Sequence, residues 1–351
     1  MMAEIRMADP TLMMRVLNGQ RTEKPPIWLM RQAGRYLPEY LATRADAGSF
    51  LDLCYDTKRA TEVSMQPIRR FDFDAAILFA DILLVPHALG RRVWFETGEG
   101  PRLDPLRTLD EVHRLSDDDT LHQRLAPVYA TVAAIRSSLS ADKSLIGFAG
   151  APWTVATYVV AGRGKDGQQG AKSLMLKQPD IFAALMQRLE EATISYLSRQ
   201  IDAGADVVKL FDSWAGALAD DTQAFNRWCL EPARRIIAAL RARHPGTPVI
   251  AFPRGAGIRY AEFAAAVAAA AIAIDETIDP KWAHEALQPH AAVQGNLDPK
   301  HLVGDGKGLE AAVHNILAAL SVDPMIFNLG HGITPDANPL NVERLVRLVR
   351  G

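Results

Sequence analysis

The stretch Pro26-Ile-Trp-Leu-Met-Arg31-Gln-Ala-Gly34-Arg35-Tyr-Leu-Pro38 starts as an apolar run typical of a buried strand and continues into a loop with two arginines. Loops at the ends of buried strands are common positions for binding groups. Each guanidinium can form paired hydrogen bonds with a carboxylate or a phosphate. The stretch therefore predicts a first strand followed by an anion-binding loop, with a solvated basic turn as the plainer alternative.

Seven more apolar runs of strand length follow the first one, Ile27–Met30. These runs are Ala75–Ala80, Leu145–Ala149, Asp206–Phe211, Pro248–Phe252, Ala270–Ile274, Ala291–Gln294 and Ile326–Leu329. The helical patterns that separate most of them include Asp180–Ala203, Ala224–Arg243 and Leu309–Leu320. Strands that alternate with helices indicate a parallel sheet. Eight such repeats predict an α/β protein of the (β/α)8 TIM-barrel type, with its active site at the C-terminal ends of the strands.

We expect a single domain over residues 1–351, because no linker or internal repeat divides the chain. A helical segment is predicted at about 9–19, and an insertion at about 82–144 contains a hairpin whose turn is Thr97–Gly100. The alanine-rich run Phe263–Ile274 is too short to span a membrane. It is interpreted as the end of a helix followed by a strand.

The composition is that of an ordinary globular protein, with 48% hydrophobic and 23% charged residues and a net charge of −2. No long basic run is present, so neither nucleic acid nor a membrane is an expected partner. The only cysteines, Cys54 and Cys229, form no disulfide framework and are expected to be small core residues. With no secretory leader before Pro10, these features favour the cytoplasm.

Motifs for metals and common cofactors are missing from the sequence. There is no HxxxH, HExxH or His/Cys cluster for a metal, and no GxSxG nucleophile motif. Gly162–Gly167 fits the letters of GxGxxG but does not open a helix directly after a strand, so it is weak evidence for a dinucleotide site. We therefore expect neither a metal nor an organic cofactor.

Polar residues follow the predicted strands and would meet at one rim of the barrel. In strand order they are Arg31 and Arg35, Asp81, Tyr158, Asp212 and Ser213, Arg254, Asp275, Asn296 and His331. A rim with cations, an acid, hydroxyls and an imidazole suits an anionic ligand that forms hydrogen bonds.

Plainer roles remain open for several rim residues. Asp81 and Ser213 could be helix N-caps, and Tyr158 could be a core aromatic with a satisfied hydroxyl. The glycines on both sides of His331 favour a functional imidazole. Arg254, in a glycine-rich turn, could belong to an anion-binding nest.

Two long blocks carry a family resemblance. Pro26–Arg35 resembles the N-terminal signature of the uroporphyrinogen decarboxylase family, and Gly147–Tyr158 is similar to its second signature. Further matches, in order along the chain, are Phe79–Ile82, Phe211–Gly216, Gly295–Pro299 and Asn328–Ile333. The resemblance thus covers nearly the whole chain.

The resemblance implies an enzyme that converts the four acetate arms of uroporphyrinogen III to methyl groups and gives coproporphyrinogen III for haem or chlorophyll synthesis. It also implies a homodimer. The substrate-binding residues that it implies are Arg31, Gln32, Ala33, Gly34, Arg35, Phe50, Asp81, Tyr158, Ser213 and His331. Eight substrate carboxylates explain why arginines are needed.

The implied catalytic residues are Asp81, Arg31 and Tyr158. An ionised Asp81 would stabilise the positive charge that develops on a protonated pyrrole. The proton donor stays open between Arg31, Tyr158 and a carboxyl of the substrate, although a guanidinium is a poor acid. The chain departs from the family pattern at Ala161, usually acidic, and at Glu276, where a Trp often follows the Asp.

Two other functions are compatible with such a fold. A cobalamin- or thiol-linked methyltransferase would need zinc ligands of the His/Cys type, which the sequence lacks. A tetrapyrrole-binding protein without turnover would keep the arginines and could lose Asp81.

Overall fold

A computed structural model of the chain describes residues 9–96, 100–164 and 167–351. The strands are β1 Ala75–Ile77, β2 Val93–Glu96, β3 Gly100–Leu103, β4 Ser144–Gly150, β5 Val207–Asp212, β6 Val249–Pro253, β7 Ala271–Ala273, β8 Ala292–Leu297 and β9 Met325–Leu329.

The α-helices are α1 Leu12–Leu17, α2 Pro38–Ala45, α3 Phe50–Tyr55, α4 Thr57–Phe71, α5 Leu84–Ala88, α6 Leu109–His113, α7 Asp118–Ser138, α8 Pro152–Ala161, α9 Gly167–Lys177, α10 Pro179–Asp202, α11 Thr222–Phe225, α12 Glu231–Arg243, α13 Arg259–Val267, α14 Pro280–Leu287, α15 Leu309–Leu320 and α16 Pro339–Arg350. Short 3₁₀ turns lie at Ala215–Leu218 and Pro299–Leu302, and a π-helical turn lies at Asn226–Leu230.

Seven parallel strands form the main sheet in the order β1-β4-β5-β6-β7-β8-β9. Each neighbouring pair is parallel, from β1 with β4 to β8 with β9. Helices connect successive strands, as parallel pairing requires. The predicted α/β fold of the TIM-barrel type is confirmed, and the C-terminal ends of the strands meet at one rim.

The predicted first strand, Ile27–Met30, is not a full strand. It forms a single parallel bridge, between Ile27 and Phe327, yet it lies between β9 and β1 and contacts both. The Phe327 N–H donates to the Pro26 carbonyl at 2.8 Å, and the Asp74 N–H donates to the Ile27 carbonyl at 2.9 Å. The segment therefore joins the two edges of the sheet.

Side chains replace the missing ladder bonds of this segment. Asp74, Gln32 and Asn328 accept hydrogen bonds from the N–H groups of Ile27, Leu29 and Met30 at 2.7, 3.1 and 3.0 Å. The prediction of a regular strand was wrong because two of these acceptors, Asp74 and Asn328, come from distant parts of the chain, and local sequence does not reveal them.

The barrel interior is filled by one cluster of apolar side chains, and α1 closes its N-terminal end with Met13, Val16 and Leu17. This helix lies within the segment predicted at about 9–19. A second, larger cluster packs the outer face of the sheet against the helices. The strands read as continuous apolar runs because both faces are buried.

Lys209 is an exception inside the barrel. Its side chain is fully buried, and its Nζ lies 5.0, 4.8 and 5.1 Å from the ring centres of Trp28, Phe211 and Phe252. Burial holds the pKa of Lys209 well below its usual value. The interior is thus a packed core rather than a channel.

Two predicted helices and the predicted insertion can be compared with the structure. Leu309–Leu320 is a helix with the predicted bounds. The predicted Ala224–Arg243 helix is interrupted by a π-helical turn, since Pro232 has no N–H to donate to the preceding turn. In the insertion, β2 and β3 pair antiparallel, while Thr97, Gly98 and Glu99 of the predicted turn lie outside the described residues.

No helix among residues 9–96, 100–164 and 167–351 combines the length and apolarity needed to cross a membrane.

Candidate active site

Asp81 follows β1 at the rim of the barrel. Among the described residues, one donates a hydrogen bond to its carboxylate, the Leu83 N–H at 2.8 Å. Burial raises the pKa of Asp81, while the Leu83 N–H and the positive charge of Arg31 oppose the rise. The helix that follows, α5, begins beyond Leu83, and Asp81 is not its N-cap. Most of the hydrogen-bonding capacity of this carboxylate is therefore available to another molecule.

Tyr158 lies on α8, near Asp81 and Arg31. Burial raises the pKa of its hydroxyl, and the Asp81 charge adds to the rise, while Trp214 and Arg31 oppose it. The Trp214 indole N–H is buried and forms no hydrogen bond with any described residue. The ring packs closely on Gly164, where a Cβ would lie 2.6 Å from Cε1. Gly164 thus lets the ring reach its place beside Asp81.

Arg31 occupies the left-handed region of backbone space, at φ 62°. This conformation is uncommon for a residue with a Cβ and costs roughly 1 kcal/mol or more. The stem of Arg31 packs over Gly332, where a Cβ would lie 2.5 Å from Cδ. Strained backbone and a glycine contact together place the Arg31 guanidinium near both Asp81 and His331.

Arg31 and Arg35 are both exposed, and their guanidinium groups form no hydrogen bond or ion pair with the residues that the structure describes. Their donors are therefore free to bind an anion. The loop between them is held from inside the protein. The Gln32 side chain is 1% exposed and bonds the Leu29 N–H and the Ala75 carbonyl, at 3.1 Å each.

The remaining loop residues have different environments. The carbonyl of Gln32 accepts a hydrogen bond from the Tyr36 hydroxyl at 2.8 Å. Ala33 is half-buried and packs against the large core, and a Cβ at Gly34 would come within 3.0 Å of the Arg31 carbonyl oxygen. The environment of Gln32, Ala33 and Gly34 fits a loop that shapes the site more than side chains that bind a ligand.

Phe50 belongs to an aromatic wall. Its ring centre lies 5.8 Å from that of Phe79 and 4.7 Å from that of Phe95 on the inserted hairpin, and Tyr40 lies 5.8 Å from Phe79. Phe79 precedes Asp81 by two residues. The wall therefore lines the approach to Asp81 with apolar surface.

Ser213 follows β5 at the rim and is half-buried, and its hydroxyl forms no hydrogen bond with the described residues. Hydrogen bonds to Thr154 on α8 hold the turn that contains Ser213. The Thr154 hydroxyl donates to the Asp212 carboxylate and accepts from the backbone N–H of Trp214 at 3.0 Å. Burial raises the pKa of Asp212 to about 6, and bonds from Thr154 and Cys229 oppose the rise.

His331 follows β9 at the rim. Its Nδ1 is 3.1 Å from the Gly332 carbonyl oxygen, so Nδ1 carries the proton and Nε2 is left as an acceptor when the ring is neutral. Burial lowers the pKa of His331, followed by the charges of Arg254 and Arg31. Gly330 permits this close packing, because a Cβ there would collide with the Glu276 backbone.

Asp275 and Asn296, also at strand ends, are occupied within the protein. Asp275 accepts from the Gly255 N–H at 2.8 Å, the Tyr260 hydroxyl at 3.0 Å, and both the N–H and the hydroxyl of Thr277. Burial opposes ionisation of Asp275, but these bonds outweigh it and hold its pKa below the usual value. The Asn296 amide donates to the Asp275 and Ile278 carbonyls at 2.8 and 2.7 Å.

Within the described part of the chain, no three His, Cys, Asp or Glu side chains come together as a metal site. Both cysteines are buried and unpaired.

The sequence model of the uroporphyrinogen decarboxylase (URO-D) family matches residues 9–351. The chain belongs to the uroporphyrinogen decarboxylase family. It is 56% identical to the uroporphyrinogen decarboxylase of Paracoccus denitrificans, covering 98% of this chain and 100% of that protein. It is 54% identical to that of Jannaschia sp., with coverage of 98% and 100%.

Among solved structures, the chain is similar to a methyltransferase from Methanosarcina mazei, with a TM-score of 0.79. The two are 18% identical, and the match covers 97% of this chain and 98% of the other. At this identity the likeness shows the fold alone.

Sequence reasoning missed Trp214 and Thr154 as parts of the site. Both lie inside blocks that resemble the family, but their roles depend on contacts between α8 and the turn after β5. Glu276 was noted only as a departure, and it lies near Arg254.

Proposed function

We propose that this chain removes the four acetate carboxyl groups of uroporphyrinogen as carbon dioxide, giving coproporphyrinogen for tetrapyrrole synthesis, and that Asp81 is its central catalytic group. The observation that carries the role of Asp81 is a half-buried carboxylate that accepts one hydrogen bond from the described residues. It lies at a rim with two arginines whose guanidinium groups form no hydrogen bond or ion pair with those residues. Such a rim can bind the carboxylates of a substrate and present an anion to its ring nitrogens.

The reaction can use the substrate as its own electron sink. A proton added to the pyrrole beside an acetate arm makes a cationic iminium. The carbon–carboxyl bond then breaks, carbon dioxide leaves, and its electron pair returns to the ring. This leaves an exocyclic methylene group, which a second proton converts to the methyl group. The ring carbon then loses the first proton, which restores the pyrrole, so each carbon dioxide released takes up one proton overall. The protein must stabilise the cation, hold the macrocycle and exclude water.

Asp81 is proposed to stabilise the cation and to accept pyrrole N–H bonds. Its partial burial, with the aromatic wall of Phe50, Phe79 and Phe95 nearby, lowers the local dielectric. A charge in such a site interacts more strongly with a developing opposite charge than it would in water. Arg31 opposes the burial-driven rise in the pKa of Asp81 and so favours its ionised form.

Arg31 and Arg35 are proposed to bind substrate carboxylates, with Ser213 and His331 as further hydrogen-bonding groups and Phe50 as an apolar contact. Gln32, Ala33 and Gly34 are proposed to shape the loop that presents the arginines, since the Gln32 side chain is buried and both ends of its amide bond backbone groups. Tyr158 is proposed to contact the reacting arm, because Asp81 and Arg31 both influence its pKa.

The first proton is proposed to come from a carboxyl of the substrate. A guanidinium is a very weak acid, and burial raises the pKa of Tyr158 further. Both side chains are therefore poor donors at neutral pH and better suited to orienting the arm.

A homodimer in the cytoplasm is also proposed, as the family resemblance implies. Sedimentation of the purified protein across a range of concentrations tests the dimer, and a single monomeric species throughout would contradict it.

The purified protein, dialysed against a chelator, tests the proposed activity with uroporphyrinogen under anaerobic conditions. We expect coproporphyrinogen and four molecules of carbon dioxide per substrate without added metal or cofactor. Binding without release of carbon dioxide would indicate a carrier protein, and activity restored only by zinc would contradict the mechanism.

A further inference from the structure

Arg254 is an arginine at the rim whose guanidinium forms no hydrogen bond with the described residues. Its nearest carboxylate is Glu276, with 3.8 Å between Nη2 and Oε1, beyond hydrogen-bonding distance. The side chain of Arg254 is 32% exposed, while its Nε and the Glu276 Oε2 are buried and have no hydrogen-bond partner in the part of the chain that the structure describes. Buried polar groups are normally satisfied, so this pair needs an explanation.

The backbone of Arg254 is held firmly. Its N–H donates to the Asp212 carbonyl at 3.1 Å, and its carbonyl accepts from the Gly216 N–H at 2.9 Å. Gly216 and Gly255 pack backbone to backbone, since a Cβ on Gly216 would lie 2.8 Å from the Gly255 carbonyl oxygen. Two strand ends and a glycine contact thus fix the backbone that carries this side chain, and the guanidinium itself forms no hydrogen bond with the described residues.

The guanidinium of Arg254 lies close enough to His331 for its charge to act on the imidazole. After burial, its charge is the largest cause that lowers the pKa of His331, ahead of that of Arg31. In the sheet order, β6 is three strands away from β1, the strand that precedes Asp81. Arg254 and Asp81 therefore lie on different sides of the rim, and a macrocycle centred on Asp81 would present a different ring to Arg254.

We propose that Arg254 binds a propionate carboxylate of the substrate, and that Glu276 weakens this contact by competing for the same guanidinium. This assignment rests on the proposed function. Each pyrrole ring carries one acetate and one propionate. Since the acetates disappear one after another, only a propionate is present at this position in every intermediate, and a subsite that serves all four rounds must recognise it.

Glu276 gives the subsite a built-in limit on affinity. Its charge partly neutralises Arg254 and repels an incoming carboxylate at close range. A product that still carries four propionates must leave after the last round, and a weakened contact favours its release.

The test measures KM and kcat with two substrates, uroporphyrinogen and the pentacarboxylate porphyrinogen, which keeps four propionates and one acetate. Arg254→Gln should raise KM about tenfold or more for both, with kcat within about threefold because the contact is the same in ground and transition states. Arg254→Lys, which keeps the charge and loses the planar fork, should fall between Arg254→Gln and the unmodified protein. If Arg254→Gln does not fold, Arg254→Lys decides alone.

Arg234→Gln is the matched control, because Arg234 pairs with Glu231 on the outer helix α12 and its loss changes the net charge equally. Its KM should be unchanged. Glu276→Gln should lower KM for both substrates, and a raised KM would overturn its role.

Equal KM values for Arg254→Gln and the unmodified protein would overturn the proposal. So would a rise confined to uroporphyrinogen, which would mark an acetate contact. An unmodified protein that releases no carbon dioxide would instead refute the proposed function, so the two failures are distinguishable.

Discussion

Asp81 and Asp275 are acids at the same rim with opposite surroundings. Asp275 accepts four hydrogen bonds from three residues of its own protein, and its pKa is held below the usual value. Asp81 accepts one, and burial raises its pKa. A carboxylate saturated by internal donors is structural, whereas one left with open lone pairs in a water-poor place can act on a ligand.

The same contrast separates the residues of the arginine loop. Gln32 is almost fully buried. Its amide oxygen accepts a hydrogen bond from the Leu29 N–H and its amide nitrogen donates one to the Ala75 carbonyl, where the edges of the sheet join. Arg31 and Arg35 are exposed, and their guanidinium groups form no hydrogen bond with the described residues. Of these three neighbouring residues, Gln32 therefore supports the loop, whereas Arg31 and Arg35 are available to bind an anion.

Asp81→Asn should lower kcat about a hundredfold or more, equivalent to about 2.7 kcal/mol of transition-state stabilisation. Asn keeps an oxygen for the Leu83 N–H, so the melting temperature should change little. Because the ground-state pyrrole is neutral, KM should change less than kcat. Steady-state kinetics and thermal melts check this, and near-normal turnover would return Asp81 to a structural role.

Asp275→Asn should lower the stability of the protein and leave turnover nearly unchanged. The amide cannot accept from all four donors, and one buried donor or more would lose its charged partner, at a cost of roughly 2–3 kcal/mol of unfolding free energy. Denaturant unfolding measures this cost. Turnover per folded molecule should stay within a few-fold, and a loss as large as that of Asp81→Asn would break the contrast.

Asp212 gives a pH-dependent test of burial. Its pKa in the folded protein is about 6, above the usual 3.8. The folded state therefore holds this proton more tightly than the unfolded state, so Asp212 should cost stability as pH rises from about 4 to 6, by up to about 3 kcal/mol. Unfolding free energies should show a smaller loss over this pH range in Asp212→Asn, and identical pH profiles would contradict the raised pKa.

Arg35→Ala should raise KM by an amount that corresponds to about 1.5–3 kcal/mol, the value of a charged hydrogen bond. Its melting temperature should hold, because the side chain is exposed and forms no hydrogen bond or ion pair with the described residues. The matched variant is Gln32→Ala, which should lower the melting temperature by removing two bonds of the sheet closure. If Arg35→Ala melts early with an unchanged KM, Arg35 is structural.

The barrel could be predicted from sequence because buried parallel strands are visible as apolar runs separated by amphipathic helices. The segment Ile27–Met30 was predicted as a strand. In the structure its N–H groups donate to the side chains of Asp74, Gln32 and Asn328 instead of to a neighbouring strand. Two of these acceptors lie 47 and 298 residues from the groups they bind, and no local pattern reports such contacts.

The rim could be predicted as a set of residues but not as a set of roles. Asp81 and Asp275 both follow apolar runs and look alike in sequence. The donors that distinguish them include Gly255 and Tyr260, which are 20 and 15 residues away from Asp275. Burial and long-range hydrogen bonds therefore decide which acid is free, and only the folded arrangement supplies them.

The most direct measurement is the single-turnover release of carbon dioxide by Asp81→Asn and Asp275→Asn, each corrected for its folded fraction and compared with the unmodified protein. We predict that Asp81→Asn is slower than Asp275→Asn by about a hundredfold or more, because only Asp81 offers its charge to the developing cation. Equal rates in the two variants would contradict this and show that open lone pairs at the rim do not identify the catalytic acid.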